Sequence, residues 1–395
     1  MMSEDTAFFD GAASITRQQG YLNTGMMGII PDSVLTRWLE DLRWYYETGP
    51  SWPEVSDFRK STHAHTKAVL AQFLDAKPDE VQPVVDTTAG MNAVMTSLAL
   101  EPGDAIIVTD IEHHTGRVPW AYVARAKGLE IVEARAQNGQ VTVGEIERLI
   151  TERTRVISLS HVSFLTGARL DLAGIFELAK AHDIFFLVDG AQSAGALDLK
   201  MPELGCDAFA FPAYKWCMGP DGMGGLYVRE QAWDRLNPPT ITPKSTATMD
   251  LSGHYTLRLG ASVFADSTPS VAAALGFGYG MTYLMDIGLD VVQAHITALV
   301  DRFIAGLGAL SGVNLVTPAA PEERAGLVVF ELAGFSGADL QRVNQALLDR
   351  GWALRLLEEI DALRASFHIF NQPAEVDALL EALDQVMSRG GAGCY

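Results

Sequence analysis

The sequence predicts an α/β protein in which a large domain, built on a mainly parallel seven-stranded sheet, precedes a smaller α+β domain. Three observations support this prediction. Short apolar runs alternate with helix-like segments between roughly residues 80 and 230. Beyond about Ala272 the pattern changes to a long helical stretch, followed by strands that alternate with helices. The 395 residues, 48% of them hydrophobic, suffice for one large core and a smaller one.

The large domain is expected to open with two helices. Apolar residues at helical spacing predict them over Pro31–Glu47 and Asp57–Leu74. Seven strands are then predicted, at Val81–Val85, Ala105–Thr109, Glu130–Ala134, Val156–Ser160, Ile184–Val188, Ala208–Phe211 and Gly225–Val228. Helices are predicted between them, at Thr88–Leu100, Gly116–Ala126, Val143–Ile150 and Leu172–Ala181. Because strands and helices alternate, the sheet is expected to be mainly parallel.

The remaining segments set the domain limits. We predict an N-terminal arm over residues 1–25, the large domain over 26–271 and the small domain over 272–395. A polar loop rich in Thr and Pro is predicted over Pro238–Met249. The small domain is expected to contain a helical stretch from about Ala272 to Leu310, strands at Gly326–Leu332 and Arg364–Phe370, and helices at Ala338–Arg350 and Pro373–Met387.

Composition narrows the class of partner. The formal net charge of −20 disfavours nucleic acid, whose phosphates require clustered Lys and Arg. The first twenty residues lack a signal-peptide pattern, and no apolar run approaches the length of a membrane span. Cys206, Cys217 and Cys394 form a sparse, odd set without metal-type pairing, which suits a reducing compartment. We therefore expect a cytoplasmic protein that acts on a small molecule and binds neither nucleic acid nor membrane, with no metal.

Lys215 is the residue that most clearly indicates the chemistry of the site. It follows an apolar run and precedes a loop rich in Gly and Pro, Gly219 to Gly225. Burial disfavours an ammonium, so an amine placed here can be neutral and nucleophilic near neutral pH. A neutral lysine amine forms Schiff bases with aldehydes. The alternative is a lysine at a strand end whose charged tip reaches water.

Asp189 ends another apolar run, Ile184–Val188. Ligands of parallel α/β sheets bind at the carboxyl ends of strands, where this carboxylate is expected to lie. The alternative is a turn residue, because Asp-Gly is a common turn pair. A Schiff-base lysine and an aspartate partner for a pyridinium nitrogen are together what pyridoxal 5'-phosphate requires.

Several motifs follow one another in a recognisable order. They are Thr87-Thr88-Ala89-Gly90-Met91-Asn92, Glu112-His113-His114, Val188-Asp189-Gly190-Ala191-Gln192, Lys215 with Gly219-Pro220, Thr268-Pro269 and Arg364-Ala365-Ser366. This ordered set resembles the class V aminotransferase and cysteine desulfurase family of fold-type I pyridoxal phosphate enzymes, and the resemblance covers nearly the whole chain. It implies a fold-type I architecture, the cofactor pyridoxal 5'-phosphate and a homodimer with shared active sites.

By the same resemblance, Thr88 and the amides around Ala89 and Gly90 hold the cofactor phosphate. This position follows a predicted strand and opens a helix, whose free N–H groups suit an anion; an ordinary N-capping Thr is the alternative. His113 is implied to stack on the pyridine ring, where it can also reach substrate protons. A metal site with His114 and a satisfied core histidine are the alternatives for His113.

The resemblance assigns four further residues. Gln192 would hydrogen-bond the ring hydroxyl oxygen, or make a helix-cap contact instead. Arg364 would grip the substrate α-carboxylate in a bidentate fork, its alternative being a surface salt bridge. Thr268 would reach the phosphate of the neighbouring subunit's cofactor. Asn23 belongs to a segment, Asn23-Thr24-Gly25, that would lie near the substrate.

The chain also departs from the family. Many members carry a serine and a histidine near the phosphate where this chain has Pro212 and Tyr214. Tyr214 can still donate through its hydroxyl, whereas Pro212 cannot. Cysteine desulfurases need a mobile cysteine upstream of the arginine motif, and the segment from Phe335 to Arg364 contains none. A protein-bound persulfide is therefore not expected.

These observations favour one activity among several. The leading hypothesis is β-elimination by a C–S lyase acting on a cysteine S-conjugate, in specialised metabolism such as antibiotic biosynthesis. The alternatives are an aminotransferase, a decarboxylation-coupled oxidative deaminase or an epimerase of a modified amino acid. A non-catalytic protein that binds pyridoxal phosphate is a further alternative.

Overall fold

The computed structural model describes residues 20–390, so residues 1–19 of the predicted N-terminal arm and Cys394 lie outside it. In that range the strands are β1 (Gly20–Tyr21), β2 (Val81–Val84), β3 (Ala105–Thr109), β4 (Glu130–Ala134), β5 (Thr154–Ser160), β6 (Phe185–Asp189), β7 (Ala208–Pro212), β8 (Gly224–Val228), β9 (Thr246–Met249), β10 (Tyr255–Leu257), β11 (Val313–Leu315), β12 (Leu327–Leu332), β13 (Trp352–Ala353), β14 (Arg355–Leu357) and β15 (Ala362–Ser366). The α-helices are α1 (Asp32–Thr48), α2 (Pro53–Phe73), α3 (Thr87–Ser97), α4 (His114–Lys127), α5 (Val143–Glu147), α6 (Leu172–Ala181), α7 (Met201–Leu204), α8 (Val271–Ile287), α9 (Leu289–Leu307), α10 (Ala338–Leu348) and α11 (Pro373–Gly390).

A seven-stranded sheet forms the centre of the large domain. Its strand order is β2-β8-β7-β6-β5-β3-β4, and only β8 runs antiparallel to its neighbours. Every residue of β3, β6, β7 and β8 is buried, because helices cover both faces of the sheet. The predicted mainly parallel α/β sheet is thus confirmed. Within this sheet, the largest difference in strand bounds is at β5, which begins at Thr154 rather than Val156.

The predicted long helix of residues 272–310 is wrong in one respect, because it is two helices. α8 and α9 meet at Gly288, whose φ of +100° suits glycine, and their axes are bent by 79° there. α8 packs against α1 and α2, so its contacts are with the large domain although the predicted boundary precedes it. In residues 20–390 no single helix is long and apolar enough to cross a membrane, and only the bent pair α8 and α9 reaches that length together.

The small domain contains a four-stranded antiparallel sheet in the order β11-β12-β15-β14. Strand β15, the last in the chain, ends at Ser366 and not at Phe370 as predicted. After Ser366 the chain turns, and the Asn371 side chain accepts the His368 amide. Connection β14–β15 is a short turn over residues 358–361, in which Asp361 has a φ of +49°.

Two further segments differ from expectation. The predicted loop Pro238–Met249 ends in β9, which pairs with β10 as an exposed antiparallel hairpin. At the N-terminus, β1 pairs in parallel with β13 of the small domain, and Asn23 bridges to Ser366. The segment then crosses to the large domain, where the Gly28 amide donates to the Tyr214 carbonyl over 2.6 Å. Residues 20–28 therefore join the two domains beside Lys215.

Candidate active site

Lys215 lies in the loop after β7, where the N-terminal segment crosses it closely. A β-carbon added to Gly28 would lie 1.9 Å from the Lys215 carbonyl oxygen, so only glycine fits there. The lysine side chain lines a cleft of about 270 Å³ between the two domains. Burial lowers the pKa of Lys215 to about 8, although the Asp189 charge acts in the opposite direction and Arg364 lowers it further. A substantial fraction of this amine is therefore neutral near pH 8.

The cleft collects five of the eleven predicted site residues, namely His113, Gln192, Tyr214, Lys215 and Arg364. Gly25 and His114 also line it, and both belong to motifs quoted from the sequence. The lining residues that the sequence did not single out are Met26, Phe164, Arg355 and Glu359. The other six predicted residues do not line it, namely Thr88, Ala89, Gly90, Asp189, Thr268 and Asn23. Exposed Thr268 borders a separate groove beside Val84 and Met223, and Asn23 borders a polar pocket with Arg355.

Asp189 is a buried carboxylate at the carboxyl end of β6. Its Oδ1 accepts the Ala191 amide over 2.8 Å. Burial raises the pKa of Asp189, while the Ala191 N–H and the Lys215 charge lower it. In the part of the chain that the structure describes, Asp189 makes no ion pair. A buried carboxylate in this state favours a bound cation, since a cation would offset its desolvation.

His113 sits at the N-cap of α4 and is neutral at pH 7. Burial, with the charges of Lys215, His114 and Arg364, lowers the pKa of His113 to about 4, and Glu359 acts in the opposite direction. Its Nδ1 accepts the Thr115 amide over 3.2 Å, which leaves the proton of the neutral ring on Nε2. The ring meets the Phe164 ring edge to face, with centroids 4.9 Å apart. The imidazole is therefore a flat, oriented N–H donor at the cleft.

The Gln192 amide joins three segments around the cleft. Its Nε2 donates to the Gly25 carbonyl, and its Oε1 accepts from Trp216 Nε1, each over 2.9 Å. A β-carbon at Gly25 would come within 3.1 Å of Gln192 Oε1, so the N-terminal segment packs tightly there. One N–H of the amide is left for a ligand.

The sequence predicts that the amides around Ala89 and Gly90 bind the cofactor phosphate. In the structure both of these amides already donate to Asp86. The Ala89 amide donates to Asp86 Oδ1 over 2.7 Å, and the Gly90 amide donates to the Asp86 carbonyl. Gly90 has another role, because a β-carbon there would lie 2.9 Å from the Ala210 β-carbon on β7. The amides of Thr87 and Thr88 precede the first intrahelical bond and are the available donors.

Two hydroxyls lie near those amides. Thr88 Oγ1 contacts Thr115 Oγ1 at 3.3 Å, which brings the starts of α3 and α4 together. Burial raises the pKa of Tyr214, and so do the charges of Asp86, Asp189 and Asp221, so its hydroxyl keeps its proton and can donate. The phosphate end of the site thus has the Tyr214 hydroxyl in place of a histidine, while Pro212 supplies no donor in place of the serine.

Arg364 is placed to bind a second anionic group, besides the phosphate. It lies in β15 with only 3% of its surface exposed, and its Nη1 donates to the Phe164 carbonyl over 3.0 Å. Its Nε is buried without a protein partner. Burial lowers the pKa of Arg364 to about 10, and the Arg355 charge lowers it further. A surface salt bridge is therefore the wrong interpretation, and an uncompensated buried guanidinium is suited to a bound carboxylate.

Glu112 was not singled out by the sequence reasoning. Its carboxyl is buried, with Oε1 accepting from Thr109 over 2.5 Å and Oε2 from Ser160 over 2.6 Å. Burial raises the pKa of Glu112 to about 7, although these hydroxyls lower it. The only available signal was its position directly before His113.

Comparison with known proteins now identifies the family. The sequence model of the class V aminotransferase family matches residues 28–379. The chain belongs to the class V aminotransferase family. It is 33% identical over 334 residues to a probable cysteine desulfurase of Halalkalibacterium halodurans, with 80% of each chain covered. A probable cysteine desulfurase of Pyrococcus abyssi is 28% identical over 345 residues, covering 84% of this chain and 85% of that one.

Solved structures agree with this class V assignment. The apo cysteine desulfurase of Thermococcus onnurineus superposes with a TM-score of 0.86 at 26% identity, covering 95% of this chain and 96% of that one. The cystine C–S lyase C-DES, in complex with its product cysteine persulfide, gives the same TM-score and identity, with 93% and 97% covered. The predicted family and fold-type I architecture are confirmed. So is the prediction of an enzyme that depends on pyridoxal phosphate.

The residues present fit that cofactor. An amine of lowered pKa, a buried carboxylate without an ion pair and hydroxyls beside free helix amides match its aldehyde, its pyridine nitrogen and its phosphate. The unpartnered Arg364 Nε is left for the carboxylate of an amino acid. The class V enzyme thus has a chemically complementary group for each end of cofactor and substrate.

The buried fork of Arg364 leads to a prediction. Arg364→Lys is expected to raise KM for the amino-acid substrate by about tenfold to a hundredfold, since a lysine cannot make two parallel bonds to a carboxylate. Steady-state kinetics measure this, with Arg153→Lys, an exposed pair with Glu130, as the matched control. An unchanged KM in Arg364→Lys would show that the carboxylate binds elsewhere.

Proposed function

We propose that this enzyme is a C–S lyase that eliminates the sulfur substituent of a cysteine S-conjugate. One observation carries the proposal: among residues 20–390, the desulfurase-like cleft is lined by no cysteine thiol that could accept sulfur. The turn over residues 358–361, where the family's mobile cysteine segment would lie, is short and bears Glu358 and Glu359. In residues 20–390 the two free cysteines, Cys206 and Cys217, are fully buried, and burial raises the pKa of both thiols.

The residues of the cleft suit this reaction. Arg364 would hold the α-carboxylate, and Lys215 Nζ, partly neutral because its pKa is about 8, would take the α-proton. Asp189 would pair with the pyridine nitrogen, and His113 would lie on the ring with its Nε2–H toward the substrate. When bound, the cofactor withdraws electrons from the α-carbon. The Cβ–S bond then breaks with its electron pair on sulfur. Overall, one conjugate and one water give a thiol, pyruvate and ammonia.

A second candidate is release of sulfur from free cysteine. The names of three of the four relatives reported above favour it, since they are cysteine desulfurases, whereas the fourth is a cystine C–S lyase. Such a reaction would leave alanine, whereas elimination leaves pyruvate. The three-carbon product therefore separates the two candidates, whatever becomes of the sulfur.

We also propose a homodimer. Thr268 is exposed and does not line the cleft of its own chain, which fits a role toward the cofactor of a second subunit. The nearby β9–β10 hairpin exposes Met249, Leu251 and Tyr255, a group of apolar side chains that a partner would cover. Light scattering of the holoenzyme measures this directly.

The test of the proposed lyase uses the purified enzyme with pyridoxal phosphate, S-methylcysteine and free cysteine. We expect pyruvate and methanethiol in equal amounts from the conjugate, and no alanine from cysteine. Pyruvate is measured with lactate dehydrogenase, thiol with a chromogenic disulfide and alanine by chromatography. Alanine from cysteine would support a desulfurase, and conversion of the cofactor to its pyridoxamine form without thiol would support an aminotransferase. No pyruvate and no thiol from any conjugate would refute the lyase.

A further inference from the structure

A second and larger depression lies beside the cleft, and we call it the side groove. It has a volume of about 770 Å³ and runs along α4 and the ends of β3 and β4 toward the turn between β14 and β15. His114, Phe164 and Glu359 line both the side groove and the Lys215 cleft. The two spaces are therefore adjacent, with these three side chains as their common border.

The walls of the side groove are largely apolar. Val118, Ile131, Val316 and Ile360 line it, together with the buried Trp120. Val118 and Ile131 are 63% and 39% exposed, although a large apolar side chain gains from burial. This surface would gain from an apolar ligand.

Charged groups at the groove select against anions. Arg117 is engaged, because its Nη2 binds Glu133 over 2.8 Å and its Nη1 donates to the Asp110 carbonyl. The remaining ionisable groups of the lining are His114 and the acids Asp110, Glu112, Glu331 and Glu359. The excess of carboxyl groups disfavours a ligand that carries a carboxylate of its own.

Phe164 connects the side groove to the substrate's expected position. Its carbonyl accepts from Arg364, and its ring packs on His113. An amino acid whose carboxylate binds Arg364 thus lies against Phe164, and a long side chain that passes this residue enters the side groove. The short turn over residues 358–361 places Ile360 in the groove wall and Glu359 at the border with the cleft, where Glu359 Oε1 lies 4.0 Å from His114 Nε2.

The geometry points to the side groove as the binding site for the sulfur substituent of the substrate. It favours uncharged apolar or aromatic substituents over small ones and over anionic ones. This inference rests on the proposed function, because it takes the ligand to be an amino acid with a long side chain held at Arg364.

Binding of uncleavable isosteres tests the inference apart from catalysis. In 2-amino-5-phenylpentanoic acid and norvaline a methylene replaces the sulfur of S-benzylcysteine and S-methylcysteine. The holoenzyme is expected to bind the phenyl compound about tenfold more tightly or better, by calorimetry and by the change in cofactor absorbance. Equal affinities would overturn the inference.

A matched pair of variants locates the effect. Ala121 lines the side groove on α4, whereas Ala126 is exposed on the same helix outside it. Ala121→Phe is expected to remove most of the preference for the phenyl compound, and Ala126→Phe to keep it. If Ala121→Phe keeps the full preference, the side groove is not the site. If the holoenzyme prefers the phenyl compound but cleaves no conjugate, the proposed lyase is refuted, whereas the side groove as a binding site is not.

Discussion

Replacing Lys215 by alanine is expected to lower kcat by about 10³-fold or more, because the variant loses both the covalent anchor of the cofactor and the base for the α-proton. The amine is suited to both roles, since burial lowers the pKa of Lys215 to about 8. Borohydride treatment followed by peptide mapping measures the anchor: the wild type should carry the reduced cofactor on Lys215, and the variant should carry none.

A surface lysine provides the control for this prediction. Lys180 lies on α6 in an exposed pair with Glu177, 3.9 Å away. Lys180→Ala should retain both the cofactor and the activity of the wild type. Trapping of the cofactor on another lysine, with turnover kept in Lys215→Ala, would contradict the assignment.

Asp189→Asn is expected to lower kcat by about 10²- to 10³-fold, since it removes the anion that pairs with the pyridine nitrogen but keeps the side chain's shape. The amide oxygen can still accept from Ala191, so the loop should keep its conformation. The loss should appear as weaker cofactor binding and as a lowered pKa of the cofactor's ring nitrogen, followed by absorbance against pH.

Another buried carboxyl provides the matched control. Glu112 is also buried, but its two oxygens accept from Thr109 and Ser160. Glu112→Gln is expected to keep most of the turnover, since no ligand contact is assigned to this carboxyl. If kcat falls equally in both variants, the effect of Asp189→Asn comes from changing a buried carboxylate in general and not from the loss of a contact with the cofactor.

The sequence reasoning succeeded where the signal was local. Apolar runs predicted the central strands because β6 and β7 are covered on both faces, which forces nearly every side chain to be apolar. Lys215 and Asp189 follow such runs, so their placement at strand ends could be predicted too. The ordered motifs added the family, which the comparisons confirm.

It failed where neighbours in space decide. Nothing local shows that Gly90 is needed against Ala210, whereas the Asp86 cap on the Ala89 amide was a local signal that the reasoning missed. The break at Gly288 was missed because the helical spacing is kept on both sides of it. Arg355 and Glu359 enter the cleft only because β14 lies beside β15.

Residue type and spacing along the chain were enough for the fold class, the cofactor and the lysine that anchors it, since each depends on short apolar runs and on the intrinsic chemistry of a side chain. The shape of the cleft, the free amides at its phosphate end and the side groove came only with the folded chain. They depend on distances between segments far apart in sequence, such as Gly28 and Lys215 or Phe164 and Arg364, which packing sets and no local pattern encodes.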